Sequence, residues 1–135
     1  MTALVLPEII GDFGTKPEIV FPQDGAPSGL QVHVLRPGRG VVVEAGREIE
    51  VNYLGQVWDG RVFDNSYDRG QPLTFPIGVG MVIKGWDNGL VGQQVGARVL
   101  LSIPPQYGYG ARGVPQAGIR GEDTLVFVVD ILDVR

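Results

Sequence analysis

The stretch Thr124–Val134, Thr-Leu-Val-Phe-Val-Val-Asp-Ile-Leu-Asp-Val, constrains this chain most. It is nearly all apolar, so it reads as a strand with neither face left for water, and such a strand belongs in the centre of a sheet. The reading predicts cover on both sides, a helix on one face and loops on the other. The rest of the chain offers only one good helix candidate, short, about Lys84 to Val91. It is bracketed by Gly85 and Gly92 and carries Trp86 and Leu90 four apart on one face.

Leu30-Gln31-Val32-His33-Val34-Leu35 alternates as a strand does, and Glu48–Trp58 and Arg98–Ile103 read likewise. Asp59-Gly60 is a turn signal, which pairs Glu48–Trp58 with Arg61–Phe63 as a hairpin. One short helix against a curved antiparallel sheet is an α+β domain. At 135 residues and 44% hydrophobic the chain suits a single core, and its 21 Gly and 10 Pro make it rich in turns without depleting it of apolar residues. Residues 30–135 are assigned to that domain. Residues 1–29 are punctuated by Pro7, Pro17, Pro22 and Pro27 and by Gly11, Gly14, Gly25 and Gly29, with no sustained period, and read as an extended arm. Its Ile9-Ile10 and Ile19-Val20-Phe21 either lie against the domain with short strand character or belong to a partly disordered leader.

The formal net charge is −4, and the Lys and Arg residues are scattered singly from Lys16 to Arg135, which argues against a nucleic-acid partner. No apolar run approaches the roughly 18 residues of a membrane span. The N-terminal stretch is apolar but short, lacks a basic start and meets Pro7 at once, so no signal peptide and a cytoplasmic location are expected. The absence of Cys excludes disulfides and cysteine chemistry. His33 has no visible partner and reads as a surface strand residue, and Ser28, Ser66 and Ser102 sit in no nucleophile motif. Acidic residues lack metal-loop spacing, and Gly78-Val79-Gly80 lacks the strand, helix and acidic partner of a dinucleotide fingerprint. A monomer without cofactor or metal is the expectation.

Val82-Ile83-Lys84-Gly85-Trp86 sets a flat indole just after a glycine, where a helix can begin, and such a Trp can floor a pocket. Tyr53, the pair Phe63-Asp64, the doublet Tyr107/Tyr109 and Phe127 stand around it at wide spacing. Aromatics alone describe a core. Tyrosine hydroxyls and a carboxylate among them describe an apolar cleft with a few placed hydrogen-bonding groups. On residue type alone Trp86 and Phe127 also read as core, and Asp64 reads as a turn residue capping Asn65-Ser66.

Val51-Asn52-Tyr53-Leu54-Gly55, Asp59-Gly60-Arg61-Val62-Phe63-Asp64-Asn65-Ser66, Val82 to Trp86, Val95-Gly96, Ile103-Pro104-Pro105-Gln106-Tyr107-Gly108-Tyr109-Gly110 and Thr124-Leu125-Val126-Phe127 follow one another in a fixed order. In order and spacing they resemble the FKBP-type peptidyl-prolyl isomerases, in a single-domain, bacterial-like form, from roughly Leu30 to Val134. The resemblance implies a half-open sheet of five or six strands wrapped over a single helix, with a cleft between them. It makes Trp86 the floor beneath a proline ring and Tyr53, Phe63, Val82, Ile83 and Phe127 its walls, with Leu73, Met81 and Ile119 as further contacts. The Ile83 N–H then holds the substrate carbonyl next to the proline, Tyr109 offers its hydroxyl to another peptide carbonyl, Asp64 faces the reacting amide, and Arg69 pairs with Asp64. The implied catalytic set is Asp64, Tyr109, Tyr53, Ile83 and Phe127, whereas Tyr107 reads as packing. The implied partners are proline-containing peptides and protein clients, in a folding or chaperone role, and macrolide inhibitors such as tacrolimus and rapamycin.

The departures are local. Leu73 stands where many members carry an aromatic, and Gly118-Ile119-Arg120-Gly121-Glu122-Asp123 replaces the usual Ile-Pro-Pro element before the last strand, with Val114 and Ala117 as other apolar contacts of that loop. Rotation about an X–Pro bond suits a chain without nucleophile, base or metal, because no covalent bond is made or broken. A proline-segment binding module or chaperone with negligible turnover is the alternative, and a small-ligand sandwich of another family is a second. Tyr53, Asp64 and Trp86, whose loss favours the binding module, are all present.

Overall fold

A computed structural model describes residues 5–135; Met1–Leu4 of the expected arm lie outside the described residues. In chain order the elements are strands β1 (Glu8–Ile10), β2 (Glu18–Val20), β3 (Gln31–Arg36), β4 (Glu48–Val57) and β5 (Val62–Asn65), the helical turn α1 (Ser66–Arg69), strand β6 (Leu73–Pro76), helix α2 (Lys84–Leu90), and strands β7 (Arg98–Ile103) and β8 (Leu125–Val134). Three single turns of 3-10 helix lie between β7 and β8.

Strand β8 runs inside a six-stranded antiparallel sheet, between β7 and β4, as its apolar sequence requires. Its two faces enter two cores. Leu125, Phe127, Val129 and Ile131 join Ile49, Val51 and Tyr53 of β4 and Val99, Leu101 and Ile103 of β7 beneath α2. Val126 and Val128, one residue out of phase, join Leu54 and Leu100 on the opposite face. Helix α2 buries Trp86 and Leu90 against the first core. It approaches closely because Gly85 faces β7: a Cβ there would lie 2.6 Å from Ile103 Cδ1.

The opposite face is covered by the N-terminal segment. The stretch expected as an extended arm folds back as a hairpin, β1 on β2, with Ile9 opposite Ile19. That register turns Ile9 and Ile19 inward, with Leu6 and Phe21, onto Leu54, Leu100, Val126 and Val128. Ile10 and Val20 point out, 48% and 42% exposed.

Two elements lie beyond the sequence reading. Strand β6 is short and contains Pro76, so it carries no strand period to recognise. Helix α1 is a single turn with no apolar stripe. It exists because the Asn65 side chain accepts the Asp68 N–H at 2.8 Å and Gly70, at φ 69°, closes the other end. Together they explain how one strand serves two partners on one edge: β6 pairs with the first half of β4, from Glu48 to Val51, and β5 with Leu54 to Gln56. In the gap between them the Tyr53 N–H donates to the fully buried Ser66 hydroxyl at 2.9 Å, which in turn donates to Asn52 Oδ1 at 2.9 Å.

Candidate active site

On the α2 face, a row of residues crosses three strands: Phe127 on β8, Gly55 on β4 and Asp64 on β5 are register partners. Gly55 is the low point of that row. A Cβ there would fall 2.6 Å from Phe127 Cε1 and 2.8 Å from Phe63 Cζ, so the missing side chain is what lets those two rings meet edge to face at 5.6 Å. Trp86, projecting from the first turn of α2, sits among three more rings. Tyr53 and Phe127 meet it edge-on and Phe75 is tilted against it, each at 5.3 Å between centroids. Its indole N–H is buried and has no acceptor among the described residues, so the floor presents apolar surface.

The cleft above this floor has a volume of about 430 Å³. Tyr53, Phe63, Leu73, Trp86 and Phe127 line its base and walls, while Gly80, Met81, Val82, Ile83 and Tyr109 form the rim, with Asp64 on one side. Met81 is 68% exposed and Tyr109 43%. The rim loop is held by Asp87, in the first turn of α2, whose carboxylate accepts the Gly78 N–H at 2.7 Å and the Gly80 N–H at 3.0 Å. This leaves Ile83 at the helix entrance, where among the described residues its own N–H donates to no protein group.

Asp64 does not cap the turn after it; Asn65 does. The Asp64 carboxylate accepts the Tyr53 hydroxyl in a short hydrogen bond and lies 2.5 Å from Arg69 Nη1, and Arg69 Nη2 donates to the Tyr53 oxygen at 2.8 Å. Arg69 also lies over the Tyr53 ring, 5.4 Å from its centroid. Burial, with the Asp64 acceptor adding to it, pushes the Tyr53 phenol up to about 12 against the opposing effect of Arg69. The Tyr109 phenol is raised as well, by burial and then by the Asp64 charge. The cleft thus combines an aromatic floor, a carboxylate held by Tyr53 and Arg69, and two donors at the rim, the Ile83 N–H and the Tyr109 hydroxyl.

Of the residues singled out in the sequence, Tyr53, Phe63, Asp64, Leu73, Met81, Val82, Ile83, Trp86, Tyr109 and Phe127 are brought together here. Arg69 stands behind Asp64 and Tyr53 rather than on the cleft wall. Ile119 does not line the cleft. Mutual hydrogen bonds with Val114, at 2.8 and 3.1 Å, fold the 114–119 loop onto itself and turn the Ile119 side chain into the core, 4% exposed. Phe75, Gly80 and Asp87 were not anticipated. An acidic residue in the first turn of a helix just after closely spaced glycines was the available signal for Asp87; Phe75 belongs to the unrecognised β6. Among the described residues no group of His, Asp and Glu is arranged to hold a metal ion.

Residues 40–132 match the family profile described as FKBP-type peptidyl-prolyl cis-trans isomerase. The chain is similar to an FK506-binding protein of Streptomyces anulatus, 42% identical over 120 residues, covering 88% of this chain and 97% of that one. An FK506-binding protein of Neisseria meningitidis is 46% identical over 105 residues, covering 78% and 95%. The crystal structure of AtFKBP13 superposes with a TM-score of 0.73 at 38% identity, covering 82% of this chain and 96% of that one.

Proposed function

The chain belongs to the FKBP-type peptidyl-prolyl cis-trans isomerase family, and on that footing we propose that its cleft accelerates X–Pro rotation by taking the twisted amide out of water. The planar amide is held by resonance, with a barrier of about 18–20 kcal/mol. The twisted amide loses that resonance and carries less negative charge on its carbonyl oxygen, so entering an apolar pocket costs it less than it costs the planar form. Desolvation then stabilises the transition state selectively, and each ~1.4 kcal/mol so gained is worth about tenfold in rate.

In this mechanism Trp86 carries the proline ring, and Phe63, Val82 and Phe127 exclude water around it. The Ile83 N–H and the Tyr109 hydroxyl hold flanking carbonyls. Asp64, fixed by Tyr53 and Arg69, faces the rotating amide. The observation that supports this reading is the Trp86 indole enclosed by Tyr53, Phe75 and Phe127, with the Asp64 carboxylate lining the same cleft. The partners are proline-containing peptides and protein clients, and macrolides of the tacrolimus and rapamycin type fill the same cleft. A monomeric state, a cytoplasmic location and a chaperone role extend the reading, and are checked by sedimentation, cell fractionation and aggregation assays.

The test is cis-to-trans relaxation of a Leu-Pro or Phe-Pro peptide with and without rapamycin. Acceleration that the macrolide abolishes is expected. No acceleration at micromolar protein overturns the isomerase mechanism in favour of a binding module.

A further inference from the structure

Helix α1 sends three consecutive side chains to three places. Tyr67 donates its hydroxyl to Asp130 Oδ2 at 3.0 Å, on the face covered by the N-terminal hairpin; Asp68 accepts Lys16 Nζ at 2.9 Å; Arg69 reaches the cleft at Asp64 and Tyr53. Asp130 is fully buried and pairs with the 2% exposed Arg98 at 2.8 Å. A buried charge pair is costly unless its remaining donors and acceptors are satisfied. The loop joining β1 to β2 does this: Arg98 donates to the Gly11 and Thr15 carbonyls, each at 2.6 Å, and the Gly14 N–H donates to Asp130 Oδ2 at 2.6 Å. The cleft uses neither of these charges.

What orients α1 is therefore polar. Ser66 is its only buried residue, so no apolar face fixes its angle. At one end it is tied by Asn65 and Ser66, and at its rear by Tyr67 to Asp130 and by Asp68 to Lys16. The guanidinium that holds Asp64 extends from the last residue of this turn.

We propose that the 11–16 loop of the N-terminal hairpin is a positioning element for the cleft, with Tyr67 and Lys16 as positioning residues. By anchoring α1 from behind, the loop fixes Arg69 and through it the Asp64 carboxylate. The inference rests on the reading of the cleft given above. Small displacements suffice, because a misplacement of about 1 Å in a catalytic group can cost about 100-fold in rate.

The test uses the full-length chain and reads Arg69 directly. In nitrogen-detected NMR spectra the Arg69 guanidinium is expected to rotate slowly, with resolved Nη signals, in the parent protein and in Lys16→Arg. Those signals are expected to collapse in Tyr67→Phe, which loses only a hydroxyl, and in Lys16→Glu, which sets a like charge beside Asp68. In parallel, kcat/KM for an X–Pro peptide is expected to fall roughly 3- to 10-fold in Tyr67→Phe, with no further fall where Arg69 is already replaced in Arg69→Ala. Arg69 signals identical to the parent in both Tyr67→Phe and Lys16→Glu overturn the inference. So does an equal fall in kcat/KM on both Arg69 backgrounds, which is what general loosening of the fold would give. The NMR measurement needs no turnover, so a parent protein without isomerase activity would sink the reading of the cleft while Arg69 still decides this one.

Discussion

Asn65 Oδ1 accepts the Asp68 N–H at 2.8 Å, and this bond, rather than any from Asp64, starts the turn that carries Arg69. The residue that caps and the residue that faces the cleft are thus neighbours with separate duties. Replacing them separates activity from stability. Asp64→Leu is expected to lower kcat/KM by about 1–3 kcal/mol, a factor of roughly 5 to 150. Macrolide affinity should suffer less than in Trp86→Ala, since the aromatic floor remains. Asn65→Ala is expected to cost about 0.5–2 kcal/mol of stability, the scale of a lost cap. Peptide isomerisation and thermal melting on the same preparations check both. An Asp64→Leu protein with full activity per folded molecule would refute the assigned role.

The two tryptophans report on opposite faces of the sheet. Trp86 floors the cleft, whereas Trp58 packs on Phe21 of the N-terminal segment at 5.2 Å. In a Trp58→Phe variant, rapamycin is expected to change the emission saturably, and in Trp86→Phe the remaining signal should barely respond. An unchanged spectrum of Trp58→Phe at saturating macrolide counts against Trp86 as the floor.

Turnover is expected to be nearly flat between about pH 6 and pH 8, because the proposed mechanism transfers no proton. The tyrosines of the cleft are pushed above their ordinary value, and His33 lies on β3, at the end of the sheet opposite β5. A bell-shaped kcat/KM profile in that window would remove the desolvation account.

Alkaline pH should weaken the fold. The Tyr53 phenol is raised from 10.0 to about 12 in the folded chain, first by burial, so its stabilising contribution is complete below pH 10 and is lost as pH rises toward 12. The loss is at most about 2–3 kcal/mol, and about 1–2 kcal/mol once solvent screening is allowed for. Tyr67, raised by burial and by Asp130, acts in the same direction. Denaturant melts across this range, compared with Tyr53→Phe, should show the variant losing less stability than the parent.

Gly55→Ala is expected to damage the cleft from beneath. Its Cβ would press on both Phe127 and Phe63, so one ring must move. About 1–3 kcal/mol of stability is the expected cost, with a fall in activity beyond that expected from unfolding alone. A fully active, stable Gly55→Ala protein would show that the Phe63–Phe127 contact is dispensable.

The sheet, its central strand and α2 were legible because each writes a period into the sequence: the unbroken apolar β8, the alternation of β3, and Trp86 with Leu90 four apart. The cleft was legible because its residues sit in ordered blocks. What escaped has no period to write. Helix α1 is held by Asn65, Ser66 and ties from distant residues, and Asp87 acts on two backbone N–H groups that no side-chain pattern reveals. Arg98 opens one apolar strand and Asp130 is one of two carboxylates in another, and their pairing appears only when β7 lies beside β8. Where the Ile119 side chain turns could not be read either, because a loop's own hydrogen bonds decide it.

The forked edge of β4 bears on how this sheet could be extended by an incoming strand. Any sheet exposes unpaired backbone groups at its margins, and a long straight margin invites strand addition and aggregation. Here one margin is divided into the four-residue strands β5 and β6 with a helical turn set between them, so no incoming strand finds a continuous ladder. The other margin, β3, loses register between Val34 and Arg36 and runs into Pro37. The division that lets β4 serve two partners therefore also breaks one margin of the sheet into pieces of four residues.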